Sequence, residues 1–465
     1  VAKSPSARDG TLQRWRDAAQ ALPRFGAHAL RHGLLPAGFS AASTARREGL
    51  SDLHWKVAGD ALVRFLQHCG PVFTKCGQIL ATRDDLLPSA VRARLEALYS
   101  QQPPMSAREL KRALRTAYGD DLPFQHFSEK PLAVGSIGQV HRARLGKQRI
   151  IVKIIRPGVE QQIARDLNVA RVLLGMFLGL PGRRPRGLKP LLNRLLEDLG
   201  HGFEREVDLE CEARSLREFG QRFANHPNVK VPDVYEAFSG AHVLVMEELR
   251  GRSLSAWRRR AKTHPEEARR VADLALTEIL KQVFEDGHFH ADPHAGNLLV
   301  LEDGRLGLID LGLTGEFGPR DRRNIARAVR AFLARDPDRV IRALLAFGSP
   351  PPGFDPKRFR LDILAVVEQY RGRLAGRILG TNGRVESSNP LEDFVAALFG
   401  VAFAHHVYVP PSATLLIKTL VTIEGVARSL DPELNLAATA LPVVLRSLTP
   451  RWLRWAFGTR ARATP

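Results

Sequence analysis

His290-Ala-Asp-Pro-His-Ala-Gly-Asn297, followed thirteen residues later by Asp310-Leu-Gly312, sets two aspartates and an asparagine in a fixed order. A transferring phosphoryl group needs an aligned nucleophile and magnesium ions bridging the phosphates, and little covalent help. Asp292 can accept the proton of an incoming hydroxyl, and the Asn297 amide oxygen can hold one Mg²⁺. Asp310 can hold magnesium between phosphates, because that hard cation prefers one or two carboxylates plus phosphate oxygens. The apolar run Leu306 to Ile309 predicts a buried strand that fixes Asp310. Taken singly, each of these residues suits a turn; the combined pattern H-x-D-x-H-x-x-N plus D-L-G points to phosphate chemistry.

Working outward, Ala133-Val-Gly-Ser-Ile-Gly-Gln-Val140 lies between two predicted strands and is rich in small residues, as backbone that approaches a phosphate must be. Lys153 is the one charge in the β-rich run Ile150 to Ile155, and a lysine on the inner face of a buried strand needs a partner. Alone it also suits a solvent-facing edge strand. With the downstream motif it reads as the phosphate-pairing lysine of a kinase-like small lobe, like that of V-A-I-K. Its carboxylate partner is expected within Glu204–Ala213, where Asp208 and Glu212, four apart, are expected on one helical face.

The chain has 465 residues, 44% of them hydrophobic and 25% charged, which fits a globular protein of several domains. A formal net charge of +20 favours phosphate-rich ligands or an anionic membrane surface, although an Arg-rich genome composition gives the same bias. No zinc-finger spacing, RNA-binding aromatic signature or dense basic tract is present, so no nucleic-acid partner is expected. Cys69, Cys76 and Cys211 have no C-x-x-C spacing and fit a reducing compartment. Val1 to Gly26 has no apolar signal-peptide region, and runs such as Val172–Leu180 fall short of the ~18–20 residues a membrane span needs. A cytoplasmic protein, soluble or peripheral on the inner face of the cytoplasmic membrane, without a transmembrane helix, is expected.

Periodicity predicts an α+β protein. Residues 1–50 form a polar segment, and 51–125 a helical extension that Pro103-Pro104 interrupts before Ser106 caps a helix to Tyr118. Residues 126–250 form a small mixed lobe with strands at Leu132–Val134, Gly138–Ala143, Arg149–Ile154, Val229–Val231 and His242–Met246, and helices at Val159–Leu180 and about Leu192–Phe223. A connector at Glu247–Gly251 leads to 251–440, expected to be helical apart from the motif-bearing loops. A basic, aromatic tail, 441–465, closes the chain.

With these residues in hand, the chain resembles the AarF/UbiB family of atypical kinase-like proteins from about Leu50 to Leu436. The most specific mark is Lys75-Cys-Gly-Gln78, which looks like the family's K-x-G-Q signature. The resemblance implies a protein-kinase-like two-lobed fold with an N-terminal helical extension, binding ATP and Mg²⁺. It implies that Lys75, Gly77 and Gln78 gate the nucleotide cleft with Glu206 and Asp208, an E-x-D motif, and that Glu212 pairs with Lys153. Ala133, Val134, Gly135 and Ser136 match the phosphate loop. Met246 to Leu249, with Glu247 and Leu249, fall where the adenine-contacting hinge should lie, and Val409–Gly425 looks like a C-lobe helix of the family.

Two departures stand out: the loop reads Ala-Val-Gly-Ser rather than Ala-Ala-Ala-Ser, and the magnesium motif is D-L-G rather than D-F-G. Gly135 is expected to open backbone conformations an alanine resists, which puts in doubt the restraint on protein-kinase activity attributed to the family's loop. No peptide-positioning A-P-E segment follows Gly312, which favours a small or lipid-derived substrate.

The resemblance implies phosphoryl transfer or ATP hydrolysis coupled to isoprenoid-quinone or related lipid metabolism, with quinone-biosynthesis proteins as partners. A small-molecule phosphotransferase of the aminoglycoside or choline kinase type also carries H-x-D-x-H-x-x-N but lacks K-x-G-Q, and a non-catalytic nucleotide-sensing scaffold is a third reading. Trp452, Leu453, Trp455 and Phe457 mingle with Arg446, Arg451, Arg454 and Arg460, which suits an interfacial helix on anionic lipid or a docked terminal helix.

Overall fold

The computed structural model describes residues 59, 60, 63, 66, 73, 77, 91, 94, 95, 104–179, 200, 203, 206–333, 336–347, 350–351, 353–379, 390–405, 407 and 411–448. Two compact units result: residues 1–213 with 234–248, and residues 214–233 with 249–465.

The first unit is built on one antiparallel sheet. Helix α1 (Ala107–Tyr118) starts where sequence expects, because the Ser106 hydroxyl accepts the Glu109 N–H while Glu109 reaches back to the Ser106 N–H, a complete capping box. Strands β1 (Ala133–Val134), β2 (Gly138–Leu145) and β3 (Gln148–Ile155) follow, then helix α2 (Val159–Gly179) and helix α3 (Leu209–Arg222), of which the residues up to Ala213 belong to this unit. Beyond the short strand β4 (Val229–Lys230), β5 (Val243–Glu247) completes the sheet in the order β1-β2-β3-β5. Alternate residues of a strand face opposite ways. Ile150, Val152 and Ile154 of β3 join Leu110, Ala113 and Leu114 of α1, with Phe124 and Val245, in one buried cluster. Burying each large aliphatic chain contributes about 1.5–3 kcal/mol. Lys153 belongs to the other face.

The second unit alternates short strands and helices. After β6 (Gly251–Ser253), α4 (Leu254–Arg260) and α5 (Pro265–Lys281), the helix widens into a π turn, Gln282–Asp286, that Gly287 ends in the left-handed conformation. Strands β7 (His288–His290), β8 (Leu298–Leu301), β9 (Leu306–Leu308) and β10 (Thr314–Glu316) follow. They form a four-stranded sheet, β4-β9-β8-β6, and a two-stranded ladder, β10-β7. Helices α6 (Pro319–Leu333), α7 (Pro337–Phe347), α8 (Pro356–Leu379), α9 (Pro390–Ala404), α10 (Pro411–Leu430) and α11 (Leu436–Leu448) complete it. Among the described residues no helix is long and apolar enough to cross a membrane.

Two expectations are corrected. The region after Glu267 holds four strands: the one expected at Leu306–Ile309 forms as β9, whereas β7, β8 and β10 stand where loops were expected, and at three or four residues each they are too short to show a period of two. The long helix expected to reach Phe223 is interrupted at Asp208, which is not helical. Its carboxylate instead accepts the Glu210 N–H at 3.0 Å, an N-cap for α3, the position a short acidic side chain prefers. Asp208 therefore does not stack on Glu212 along one helical face.

Candidate functional site

In the first unit the centre is Lys153. It pairs with Val140 of β2 on one side and Leu244 of β5 on the other, so its strand is interior to the sheet and not an edge. Its ammonium donates to Glu212 Oε2 at 2.6 Å, and the two side chains are 20% and 5% exposed. Glu212 lies in the first turn of α3 with Glu210, where carboxylates suit the positive end of the helix dipole. Glu206 and Asp208 of the same segment are half-buried.

Ala133 and Val134 form β1; Gly135 and Ser136 make the turn into β2, closed by the Gly135 N–H to Gly138 carbonyl bond at 2.9 Å. Here the expectation for Gly135 is corrected. Its φ is not in the left-handed region, and an added Cβ would meet only the Gly138 carbonyl, at 3.6 Å. The obligatory glycine is Gly138, where a Cβ would stand 2.5 Å from the Ile154 carbonyl oxygen. Glu247 ends β5, paired with Ile150. The next residue, Glu248, went unremarked in the sequence, yet Arg142 and Arg149 both bind it, at 2.8 and 2.7 Å. Burial pushes its pKa up, but the two guanidiniums outweigh that and hold it below the usual carboxylate value. Its signal was two arginines on neighbouring strands, legible only with the register known.

In the second unit, two ladders converge on the motif residues. The β8–β9 hairpin runs one bond beyond its last strand pair, with the Ile309 N–H donating to the Asn297 carbonyl at 3.1 Å. Asn297 and Asp310 therefore leave the hairpin at the same end. The β7–β10 ladder likewise continues past His290 and Thr314 with the Ala291 N–H to Leu313 carbonyl bond, so Asp292 emerges beside the Asp310-Leu-Gly turn.

Each motif side chain is tied locally. Asp310 Oδ1 accepts the Gly312 N–H at 3.1 Å, and the Asn297 amide donates to the Asp292 carbonyl at 3.3 Å. His294 accepts the Gly296 N–H through Nδ1 at 3.1 Å. His290 is wholly buried, and burial pushes its pKa down to about 4 against the opposing pull of Asp310 and Asp292. It packs as a neutral ring.

The backbone N–H of His290 donates to Gln282 Oε1 at 3.0 Å, so the π turn braces the entry to the motif. Such turns are frequent at functional sites; nothing in the local pattern of Gln282 announces it. Lys418 of α10 is the other unforeseen participant, its Nζ 2.9 Å from Asp292 Oδ1. Leu249 is half-buried, and a Cβ on Gly307 of β9 would meet its Cδ1 at 3.2 Å.

The donor set suits magnesium. Asn297 and Asp310 offer hard oxygens at one hairpin end, and because the Asn297 nitrogen is spent on the Asp292 carbonyl, its oxygen is the atom left for a cation. Of the signature Lys75-Cys-Gly-Gln78, Gly77 is a buried helical position, whereas Lys75 and Gln78 lie outside the described residues, as does the basic, aromatic tail from residue 449 onward.

The family of the ABC1 atypical kinase-like domain matches residues 97–344, and the UbiB helical domain matches 391–435. Among curated proteins, the Probable protein kinase UbiB of Marinobacter nauticus is 32% identical over 396 residues, covering 83% of this chain and 69% of that protein. Among solved structures, the erythromycin complex of Rv3197 from Mycobacterium tuberculosis superposes with a TM-score of 0.53 at 22% identity, over 80% of this chain and 92% of that one, a likeness of fold alone. The fold is kinase-like, of mixed α/β composition, and the chain belongs to the ABC1 atypical kinase-like family, with a UbiB helical domain behind the kinase-like one.

Proposed function

We propose that the chain is an ATP-dependent phosphotransferase or ATPase of the UbiB type that serves isoprenoid-quinone or related lipid metabolism. The observation that carries this reading is that, within each unit, the residues singled out by the motifs lie together. The first presents a buried, preformed Lys153–Glu212 pair beside a turn of small residues. The second brings Asp292, Asn297 and Asp310 to adjoining strand ends.

In this reading Lys153, oriented by Glu212, engages the nucleotide phosphates. Asn297 and Asp310 hold Mg²⁺, which when bound neutralises charge developing on the phosphates. Asp292 orients the attacking water or hydroxyl and takes its proton. Lys75 and Gln78 would regulate access together with Gly77, Glu206 and Asp208. The name carried by the Marinobacter relative supports the UbiB assignment, and the +20 charge suits both a nucleotide and an anionic membrane surface.

Calorimetric titration with ATP tests nucleotide binding. The expected result is binding that requires Mg²⁺ and is lost in Asp310→Ala; binding indifferent to both contradicts the reading. Phosphate release with and without anionic vesicles then separates an enzyme from a nucleotide-sensing scaffold, and phosphate incorporation into an aminoglycoside or choline would reassign the substrate. Flotation with those vesicles, using the chain truncated after Leu445, tests the membrane: retained binding removes the tail from the account. The client pathway is read from cells carrying Asp310→Ala, which should accumulate quinone precursors.

A further inference from the structure

We propose that Lys418 is a positioning residue for the reaction, supplying from the UbiB helical domain the cation that the stretch His290–Asn297 itself lacks. The inference rests on the functional reading above, because it takes Asp292 as the group that meets the acceptor. The stretch contains no lysine or arginine, and Lys418 is the one basic residue between Pro411 and Ala427; the other charge in that span, Glu424, is buried and bound by Arg428 of the same helix. Its ammonium nevertheless reaches Asp292 Oδ1 at 2.9 Å.

The helix delivering it is well anchored. Leu416, Thr419, Ile423 and Ala427 of α10 are buried, and the Thr419 hydroxyl is tied to the Leu415 carbonyl. α10 packs on α5 and on β10, the strand that follows the Asp310-Leu-Gly turn. Lys418 therefore extends from a fixed backbone toward the motif, even though its own side chain is about half exposed.

A pair this exposed contributes little to stability, so packing needs give no reason for the contact. Its geometry does give a chemical one. The lysine holds one carboxylate oxygen in place, which leaves Oδ2 to meet the proton of the incoming hydroxyl. A flexible aspartate on a short loop would otherwise sample several orientations, and misplacement of a reacting group by about 1 Å can cost about 10²-fold in rate. Lys418 neither gains nor loses a proton in this role. It also makes the helical domain, beyond the kinase-like domain, part of the reacting apparatus.

Steady-state turnover of Mg-ATP by the full chain tests this, using Lys418→Met, Lys418→Arg, Asp292→Asn and the double variant Asp292→Asn/Lys418→Met. Lys418→Met should lower kcat about 10- to 100-fold while KM for ATP stays within about twofold, and Lys418→Arg should restore most of the rate. In the Asp292→Asn background the loss of Lys418 should cost nothing further, because the lysine acts through that carboxylate. Lys418→Gln repeats the measurement should the methionine variant fold poorly. A wild-type kcat in Lys418→Met, a change confined to KM, or a full loss persisting in the Asp292→Asn background would each overturn the inference. If Asp292→Asn slows turnover and Lys418→Met does not, the inference alone fails; if Asp292→Asn is also without effect, the functional reading fails with it.

Discussion

Each unit contains a lysine–carboxylate pair, and the two are built for different ends. Lys153 and Glu212 are 20% and 5% exposed and join an interior strand to the first turn of a helix. Lys418 and Asp292 are 49% and 36% exposed and join a helix to a loop just beyond a strand end. Removing one partner of a buried pair strands the other charge in a poorly solvated place, whereas an exposed pair simply returns to water. The first pair is thus part of the architecture of its sheet and holds its lysine in one orientation. The second has no such structural hold and is open enough for an acceptor to approach the aspartate.

The sharpest way to break this contrast is to remove both lysines in turn and follow unfolding. Lys153→Met leaves Glu212 buried and should destabilise the chain by about 3 kcal/mol, the low end for a broken buried pair because Lys153 is partly wet. Denaturant titration reads this; an unchanged midpoint would mean that Glu212 is not confined as described.

Acid acts in the same direction in both units, since each buries a neutral histidine. His290 has its pKa pushed down to about 4 by burial, and His141, also buried, is shifted down for the same reason despite its bond to the Ser128 carbonyl. Below the unfolded value of about 6.5 the unfolded chain binds protons that the folded chain refuses. Stability from these groups is therefore whole above about 6.5 and drains away as pH falls toward 4, by up to about 3 kcal/mol for His290. The slope of stability against pH in this window should flatten in His290→Leu; a slope that is unaltered removes His290 from the account.

Smaller again is the effect of one methyl group at two glycines of the first unit. Gly138→Ala drives a Cβ against the Ile154 carbonyl and should cost roughly 1–3 kcal/mol, the usual range for overpacking. Gly135→Ala, three residues away, should leave the unfolding midpoint where it is. Equal effects would contradict the turn geometry. At the bottom of the scale, Lys418→Met should change stability by less than about 1 kcal/mol, and a larger loss would show the second pair to be as structural as the first.

Where the sequence was legible, local physics had already decided the outcome. Ser106 and Glu109 form a capping box that depends on a single turn of backbone and nothing distant. Gly138–Leu145 and Gln148–Ile155 carry a β-rich pattern long enough to be read, and the motif spacing singled out Asp292, Asn297 and Asp310, which the folded chain brings to adjoining strand ends. Illegible were features that need the folded chain. Strands β7 and β10 are three residues each and exist by pairing with one another. Asp208 could be a helix residue or a cap, and the interruption before Leu209 decides for the cap. Gly135 drew attention as a departure from a family pattern, whereas the glycine that packing requires is Gly138. Lys418 is the charge of the α10 stretch that has no opposite charge within a helical turn of it, a signal that something distant pairs with it without saying what.

The central claim is that the strand-end cluster of the second unit performs magnesium-dependent chemistry on ATP. Phosphate release from Mg-ATP by the full chain, measured for the unaltered protein and for Asp292→Asn, tests it most directly. The account predicts turnover that requires Mg²⁺ and falls by about 10²- to 10⁴-fold in the variant, as loss of a general base should produce. Absence of turnover in the unaltered protein, or equal rates in both, would contradict it.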